Sequence, residues 1–157
     1  MQNWYLVKTK SGQENVAIKN LTNQDFLTYC PTVKINNNHV VLFPGYIFIY
    51  LDKKNENWSP IRSTKGVLNF VRFGLNFAQV PDNVIEFIKS NQHINKDKLK
   101  NLNNFKLGDK VQITDGVFNN CVAIFKSYKS EQRVILLMNL LGQQQTINLK
   151  QESLIAL

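Results

Sequence analysis

One run of sequence organises this chain: Leu42-Phe43-Pro44-Gly45-Tyr46-Ile47-Phe48-Ile49-Tyr50-Leu51-Asp52. Branched and aromatic side chains favour strands because they pack well on a pleated surface. Side chains alternate along a strand, so the aromatic residues from Tyr46 onward share one face and the isoleucines share the other. Both faces are apolar, which predicts a central strand covered on both sides. Part of the aromatic face, with Phe43 and Tyr46, is a candidate contact surface for a partner.

The sequence on either side of this run predicts further strands and two helices. Strands are expected at residues 3–9, 26–31, 39–42 and 67–73, and helices from Gln13 and after Val80-Pro81. The order β-α-β-β-β-α over residues 1–90 predicts an antiparallel sheet with helices packed on it, an α+β architecture. Residues 93–104 are polar and rich in Asn and Lys, which indicates a linker between domains at 1–92 and 105–157.

The C-terminal domain carries two conflicting patterns. Residues 110–114 and 146–149 alternate between polar and apolar, and Asp115-Gly116 is a turn signal, which is typical of a small β-barrel. Residues 117–141 contain neither Gly nor Pro, and their apolar residues recur at spacings of three and four, which is typical of helices. Conflicting local signals are unusual in a chain with a single native state. Both folds remain open at this point.

The composition indicates a cytoplasmic protein with a polyanionic partner. The net charge is +8 with a pI of about 9.5, which favours nucleic acid. No apolar run approaches the roughly 20 residues that span a membrane, and the first residues lack the pattern of a signal peptide. Cys30 and Cys121 are far apart in apolar surroundings, which favours free thiols over a disulfide or a metal pair.

The sequence offers no catalytic constellation. His39 and His93 have no Cys, Asp or Glu at ligand spacing, and there is no glycine-rich phosphate loop. We therefore expect neither an enzyme nor a cofactor. Nucleic-acid contact is better supported than catalysis. The chain contains charged, amide and hydroxyl side chains of the kind that contact phosphates and base edges. The alternative interpretation is that these side chains form a solvated, weakly basic surface. These residues are Lys8, Lys10, Gln13, Arg62, Thr64, Lys65 and Arg72.

Several motifs together resemble the NusG family of transcription elongation factors. In the first domain they are Trp4-Tyr5-Leu6-Val7, Leu42-Phe43-Pro44-Gly45-Tyr46-Ile47-Phe48, Thr64-Lys65-Gly66-Val67, Phe70-Val71-Arg72-Phe73-Gly74 and Val80-Pro81. Gly108-Asp109-Lys110-Val111 and Asp115-Gly116-Val117-Phe118 are similar to the opening of the family's KOW domain. The first six residues, Gly74 and the run of residues 136–141 are most similar to the specialised RfaH-like branch.

The resemblance implies a non-enzymatic factor that suppresses pausing and termination. Its N-terminal domain would bind the clamp helices of RNA polymerase through an apolar patch formed by Leu42, Phe43, Pro44 and Tyr46. No membrane partner is implied, and a monomer is expected.

A second face of that domain would read the non-template DNA strand. The residues that match this face are Lys10, Gln13, Thr64 and Lys65. Val16 and Asn20 stand where the RfaH-like branch has Arg and His, so the DNA sequence that is read would differ.

The resemblance also accounts for the two patterns of the C-terminal domain. In the RfaH-like branch this domain is an α-helical hairpin that masks the polymerase site, and on release it becomes a five-stranded KOW β-barrel that recruits a small-subunit ribosomal protein. The residues that would mask the site here are Phe118, Val122, Phe125, Arg133, Leu137, Met138 and Leu141.

Some positions depart from the branch. Arg133 matches an arginine that pairs with a glutamate, but Val40 occupies the glutamate position. The segment Trp58-Ser59-Pro60 replaces a His/Thr-rich motif. Two alternatives remain: a general NusG-like factor with a permanent KOW barrel, and a KOW-type module that binds RNA or the ribosome.

Overall fold

The computed structural model describes residues 1–91 and 115–155, with side chains described for residues 1–91 and 119–143. The linker expected at 93–104 and the alternating segment 110–114 lie outside the described residues.

The N-terminal half is built on an antiparallel sheet. Its strands are β1 (Asn3–Thr9), β2 (Leu27–Tyr29), β5 (Tyr46–Leu51), β6 (Val67–Phe70) and β9 (Gln79–Val80). The strand order is β2-β5-β1-β6. On the edge of β1 that faces away from β5, β6 pairs with residues 7–9 and β9 pairs with residues 4 and 5. β5 pairs along its whole length with β1, from Leu51 opposite Asn3 to Tyr46 opposite Lys8. The predicted α+β architecture is confirmed, with the run at residues 46–51 in the interior of the sheet.

Two small hairpins extend from the sheet. They are formed by β3 (Thr32–Ile35) with β4 (Asn38–Val41), and by β7 (Arg72–Phe73) with β8 (Asn76–Phe77). The strand predicted over 67–73 is therefore divided after Phe70, because the chain leaves the sheet for the second hairpin. That hairpin turns at Gly74, whose φ of +64° is accessible to glycine without strain.

Helices cover both faces of the sheet. They are α1 (Glu14–Thr22), a 3₁₀ helix (Ser59–Ser63), α2 (Asp82–Asn91), α3 (Asp115–Lys126) and α4 (Ser130–Ile155). We call α3 and α4 together the C-terminal hairpin. The helical periodicity of residues 117–141 thus corresponds to two helices with a connection at 127–129, and no strand is found between residues 115 and 155.

Alternation along β1 and β5 sorts the interior into two clusters. One contains Ile47 and Ile49 and packs against α1 and the 3₁₀ helix. The other contains Leu6 and Phe48 and packs against α2 and the C-terminal hairpin. Residues 47, 48 and 49 are completely buried, as expected for a strand that is covered on both sides. We call these two surfaces of the sheet the α1 side and the hairpin side.

Candidate functional site

Residues 43–46 form a tight turn that leads into β5. The backbone N–H of Tyr46 donates to the carbonyl oxygen of Phe43 at 3.1 Å, which closes the turn. Pro44 occupies the second position, where its ring fixes φ, and Gly45 occupies the third with a φ of +87°. This is a type II turn, and the Pro-Gly pair is the sequence that such a turn requires. We call residues Phe43–Tyr46 the FPGY turn.

The FPGY turn is fastened to the start of α1 and to the end of β1. The N–H of Gly45 donates to the Glu14 carboxylate (Oε1) at 2.8 Å, and the carbonyl of Gly45 accepts from the N–H of Thr9 at 2.8 Å. Glu14 is buried with 8% exposure, so its carboxylate holds the turn from inside the protein. With both its N–H and its carbonyl hydrogen-bonded, Gly45 ties the turn to the rest of the N-terminal half.

An aromatic row continues from this turn across the hairpin side of the sheet. The rings of Phe43 and Phe48 meet edge to face with centroids 6.1 Å apart, and Phe48 stacks on Tyr29 at 6.1 Å. Trp4 contacts Tyr29 at 6.3 Å and Tyr50 at 5.0 Å. Burial raises the pKa of Tyr29 to about 12, with a smaller effect from Cys30. A continuous ring surface of this kind provides large contact area with little loss of side-chain entropy.

The C-terminal hairpin covers the beginning of this row. Leu42 and Phe43 are completely buried, and both belong to the cluster that contains the inward residues of α3 and α4. The ring of Phe87 in α2 lies 5.9 Å from that of Phe125 in α3, so the hairpin packs on the second helix as well as on the turn. Pro44 is exposed and Tyr46 is half-buried, which places the outer end of the turn at the edge of the covered area.

One charged side chain of the hairpin is buried in this contact. Arg133 of α4 is only 2% exposed, and its Nε donates to the carbonyl oxygen of Leu42 at 2.8 Å. Its NH1 group donates to the carbonyl oxygens of Ser127 and Tyr128, both at 3.0 Å. The same guanidinium therefore shapes the connection between the two helices and joins it to the residue that precedes the FPGY turn.

No carboxylate among the described residues pairs with Arg133. The ion pair found within residues 1–91 and 119–143 joins the amino group of Met1 to Asp52. Desolvation lowers the pKa of Arg133 from its ordinary value. A buried charge that is stabilised by carbonyl dipoles alone is held less favourably than one that has a counter-ion.

The two thiols also respond to burial. Burial raises the pKa of Cys121, which lies in the contact between the hairpin and the sheet, to about 12. Burial and, to a smaller degree, the Glu14 carboxylate raise the pKa of Cys30 to about 11. Both thiols are thus protonated at neutral pH and are unreactive while they stay covered.

The structure brings together most of the residues that were predicted to mask the site. Phe125, Leu137 and Leu141 are buried in the cluster shared with the sheet, Arg133 is buried against Leu42, and Met138 is half-buried against the same cluster. Val122 is buried as well but is not part of that cluster, and the side chain of Phe118 lies outside the described residues. Sequence reasoning missed Cys121, Ile124 and Leu140, which belong to the same cluster. Cys121, Ile124 and Phe125 are spaced as residues on one face of a helix, and this pattern could have identified Cys121 and Ile124.

The residues that were predicted to contact DNA lie at the start of α1 and beside the 3₁₀ helix. The N–H of Lys10 donates to the carbonyl of Gly66 at 2.9 Å, which places the exposed side chains of Lys10 and Lys65 on neighbouring segments. Gln13 is half-buried next to them. Thr64 differs, because it is 7% exposed and its hydroxyl already donates to the carbonyl of Pro60 and accepts from Gln24. The free polar groups of this face are therefore those of Lys10, Gln13 and Lys65.

The described residues contain neither a cluster of metal-binding side chains nor a helix that could span a membrane. Groups of His, Cys, Asp and Glu that could hold a metal ion are absent from them. None of the helices in this part of the chain is long and apolar enough to cross a membrane.

Comparison with known proteins gives consistent matches. Residues 2–89 match the family model described as "Transcription termination factor nusG". Among curated proteins named transcription termination/antitermination protein NusG, that of Thermus thermophilus is 28% identical, covering 93% of this chain and 94% of that protein. That of Bacillus subtilis is 27% identical, covering 95% of each, and that of Chlamydia trachomatis is 24% identical, covering 94% and 91%. A solved structure titled "Domain interaction in Thermotoga maritima NusG" matches 56% of this chain and 55% of that chain with 26% identity and a TM-score of 0.46.

Proposed function

Because this chain belongs to the NusG family of transcription termination and antitermination factors, we propose that it binds RNA polymerase through the FPGY turn and the adjoining aromatic row. The partner surface is the clamp helices, and the contact residues are Leu42, Phe43, Pro44 and Tyr46. In this proposal the protein is a non-enzymatic cytoplasmic factor that acts as a monomer and suppresses pausing and termination.

The proposal rests on one observation: hydrogen bonds within the N-terminal half hold the FPGY turn in place, while the C-terminal hairpin covers it. Gly45 is hydrogen-bonded at both its N–H and its carbonyl, so the turn is fixed by the N-terminal half alone. The C-terminal hairpin then buries Leu42 and Phe43 without contributing to those bonds. A preorganised aromatic surface that is covered by a separate helical pair supports an autoinhibited state, in which the hairpin must leave before polymerase can bind.

The buried guanidinium supports a cover that can be removed. Among the residues that the structure describes, Arg133 makes its contact across to the N-terminal half with one backbone carbonyl and no carboxylate. The apolar residues of α3 and α4 supply the remaining attraction. The cover is held by apolar area together with this hydrogen bond, and a partner that binds only the uncovered surface shifts the equilibrium toward release.

The released C-terminal segment has a second fold in this proposal. Its sequence alternates between polar and apolar residues at 110–114 and 146–149, which is the pattern of strands. We propose that residues 105–157 form a KOW β-barrel after release and then contact a small-subunit ribosomal protein. The RfaH-like branch of the family is therefore the best description of this chain, with helices α3 and α4 as the main support.

Recruitment to particular transcripts is assigned to the face that carries Lys10, Gln13 and Lys65. This face lies at the start of α1 and beside the 3₁₀ helix, away from the C-terminal hairpin, so it is uncovered while the polymerase surface is covered. We propose that it contacts the non-template DNA strand, with Thr64 as an internal support of the 3₁₀ helix rather than a contact residue.

The proposal is tested by measuring polymerase binding with and without the hairpin. A protease site placed within residues 93–104 allows the C-terminal fragment to be cleaved and removed. Binding to RNA polymerase should rise strongly after its removal, and Tyr46→Ala should then weaken it. If the fragment-free protein carrying Tyr46→Ala binds as tightly as its parent, the FPGY turn is not the contact surface.

A further inference from the structure

Two cationic side chains converge on one aromatic ring at the far end of the sheet from Lys10. The ammonium of Lys53 lies 4.4 Å from the centre of the Phe77 ring, and the guanidinium carbon of Arg72 lies 4.7 Å from the same centre. Phe70 stacks on Phe77 with centroids 4.2 Å apart and planes 3° apart. Since Phe70 occupies one face of the ring, we place both cations over the other face, each within 4.7 Å of the ring centre.

Neither cation has a counter-charge among the described residues. The carboxylates nearest in sequence belong to Asp52 and Glu56, and both are engaged. Asp52 accepts from the amino group of Met1 at 2.9 Å and from Asn55 at 2.8 Å, and Glu56 accepts from the backbone N–H of Asp52 at 3.1 Å. Two like charges over one ring repel each other, and an anion placed between them would relieve that repulsion.

An aromatic groove lies beside this pair of cations. The ring of Trp58 meets Phe77 edge to face at 5.0 Å. Trp58 also lines a groove of about 430 Å³ together with Arg62 and the exposed Leu68. A cation pair that suits a phosphate, next to a groove with an aromatic wall and a third cation, is the arrangement that single-stranded nucleic acids prefer, because phosphates and unstacked bases are both accommodated.

The two cations of this site lie away from the face proposed to contact DNA, although the groove beside Trp58 is lined by Arg62 of the 3₁₀ helix that borders that face. Lys53 follows β5 at the end where Leu51 pairs with Asn3, whereas Lys10 follows the other end of β1. A seven-residue strand places these ends about 20 Å apart. Phe77 and Trp58 belong to the cluster on the α1 side, opposite the C-terminal hairpin. The site is therefore accessible whether or not the hairpin is docked.

We propose that Lys53 and Arg72 form a phosphate-binding site over Phe77 that, with the groove beside Trp58, binds single-stranded nucleic acid in the hairpin-docked protein. This site is additional to the face that carries Lys10, Gln13 and Lys65, and it does not depend on polymerase binding. It gives the covered protein a way to stay on a nucleic-acid strand before the hairpin is released.

The test measures binding of the full chain to a fluorescent oligothymidine across a range of salt concentrations. Each lost phosphate contact should reduce the slope of log affinity against log salt by about 0.7. Lys53→Gln and Arg72→Gln should each do so, and Arg72→Lys should retain most of the slope. Lys54→Gln is the matched control, because this exposed residue carries the same charge one position away and should leave the slope nearly unchanged.

Three results would overturn the proposal. Equal losses for Lys53→Gln and Lys54→Gln would mean that only net charge matters. A lower unfolding midpoint for Lys53→Gln with an unchanged salt slope would mean that the cations only cover Phe77. Tighter binding to polyglutamate than to oligothymidine would assign the surface to an acidic protein. Polymerase binding by the fragment-free protein should be the same for Lys53→Gln and its parent, which separates this test from that of the proposed function.

Discussion

The Nε atom of Arg133 donates a hydrogen bond to the carbonyl oxygen of Leu42 at 2.8 Å. This bond joins α4 to the residue that precedes the FPGY turn, and it uses a backbone acceptor instead of a side-chain carboxylate. The side chain of Val40, two residues before Leu42, cannot accept a hydrogen bond. This polar contact between the two halves depends on a main-chain carbonyl, which substitutions at position 40 would leave in place.

Replacing Arg133 should loosen the cover. Arg133→Ala removes the donors to Leu42, Ser127 and Tyr128, and hydrogen bonds that involve a charged group contribute about 1.5–3 kcal/mol. The hairpin should therefore undock about ten- to a hundredfold more often, which binding of RNA polymerase by the full chain would detect. Lys129→Ala removes an exposed cation from the same connection and should have no such effect. Equal polymerase binding by Arg133→Ala and the parent chain would exclude Arg133 as the anchor.

Cys121 should report the docked state through its reactivity. In a Cys30→Ser background, alkylation of the Cys121 thiol at pH 8 should be slow, because the group is 2% exposed and burial raises its pKa to about 12. Adding Arg133→Ala should accelerate alkylation by about the same factor as it increases undocking. Rapid alkylation of the parent chain, at the rate of an unfolded control, would contradict a hairpin that packs on the sheet.

The same thiol gives the docked state a pH dependence. Burial raises its pKa from an ordinary value of 9.0 to about 12 in the docked form. The protonated thiol therefore contributes its full stabilisation of the docked state below pH 9, and this contribution is lost as pH rises from 9 toward 12. Between pH 9 and 10.5, Cys121→Ala should flatten the decline in hairpin docking, which can be followed by polymerase binding. An identical decline in both chains would assign the pH dependence to other groups.

Glu14 should stabilise the FPGY turn through its acceptor oxygen. Glu14→Ala leaves the N–H of Gly45 without its partner and should lower the free energy of unfolding by about 1–3 kcal/mol. Glu14→Gln retains an oxygen at the same position and should recover much of that loss. Chemical denaturation of the two variants measures the difference. If both lose the same free energy, the carboxylate acts through its charge and not through the hydrogen bond.

The N-terminal half was largely predictable because its patterns are local and mutually consistent. The alternation in residues 46–51 identified the central strand, and Val80-Pro81 correctly predicted the start of α2. β3 at Thr32–Ile35 was missed because four residues between a proline and an asparagine-rich turn are too few for a periodic signal. The family prediction is confirmed by the match over residues 2–89.

The candidate site was less predictable because it depends on contacts between distant segments. A helical pattern indicated that residues 117–141 have an apolar face, but it could not show that Ile124 and Leu140 lie deeper in the contact than Met138. The hydrogen bond from Arg133 to a backbone carbonyl has no sequence signature, since every residue supplies a carbonyl. The burial of Thr64 likewise follows from the 3₁₀ helix that precedes it, which its sequence neighbours did not predict.

The most direct test of the central claim is the affinity for RNA polymerase of one protein before and after removal of its C-terminal hairpin. A chain with a protease site in residues 93–104 is assayed intact, then cleaved, freed of the C-terminal fragment and assayed again. We predict weak binding by the intact chain and strong binding after removal, with the gain reduced by Tyr46→Ala. Equal affinity before and after removal would contradict the claim that the hairpin covers the polymerase-binding surface.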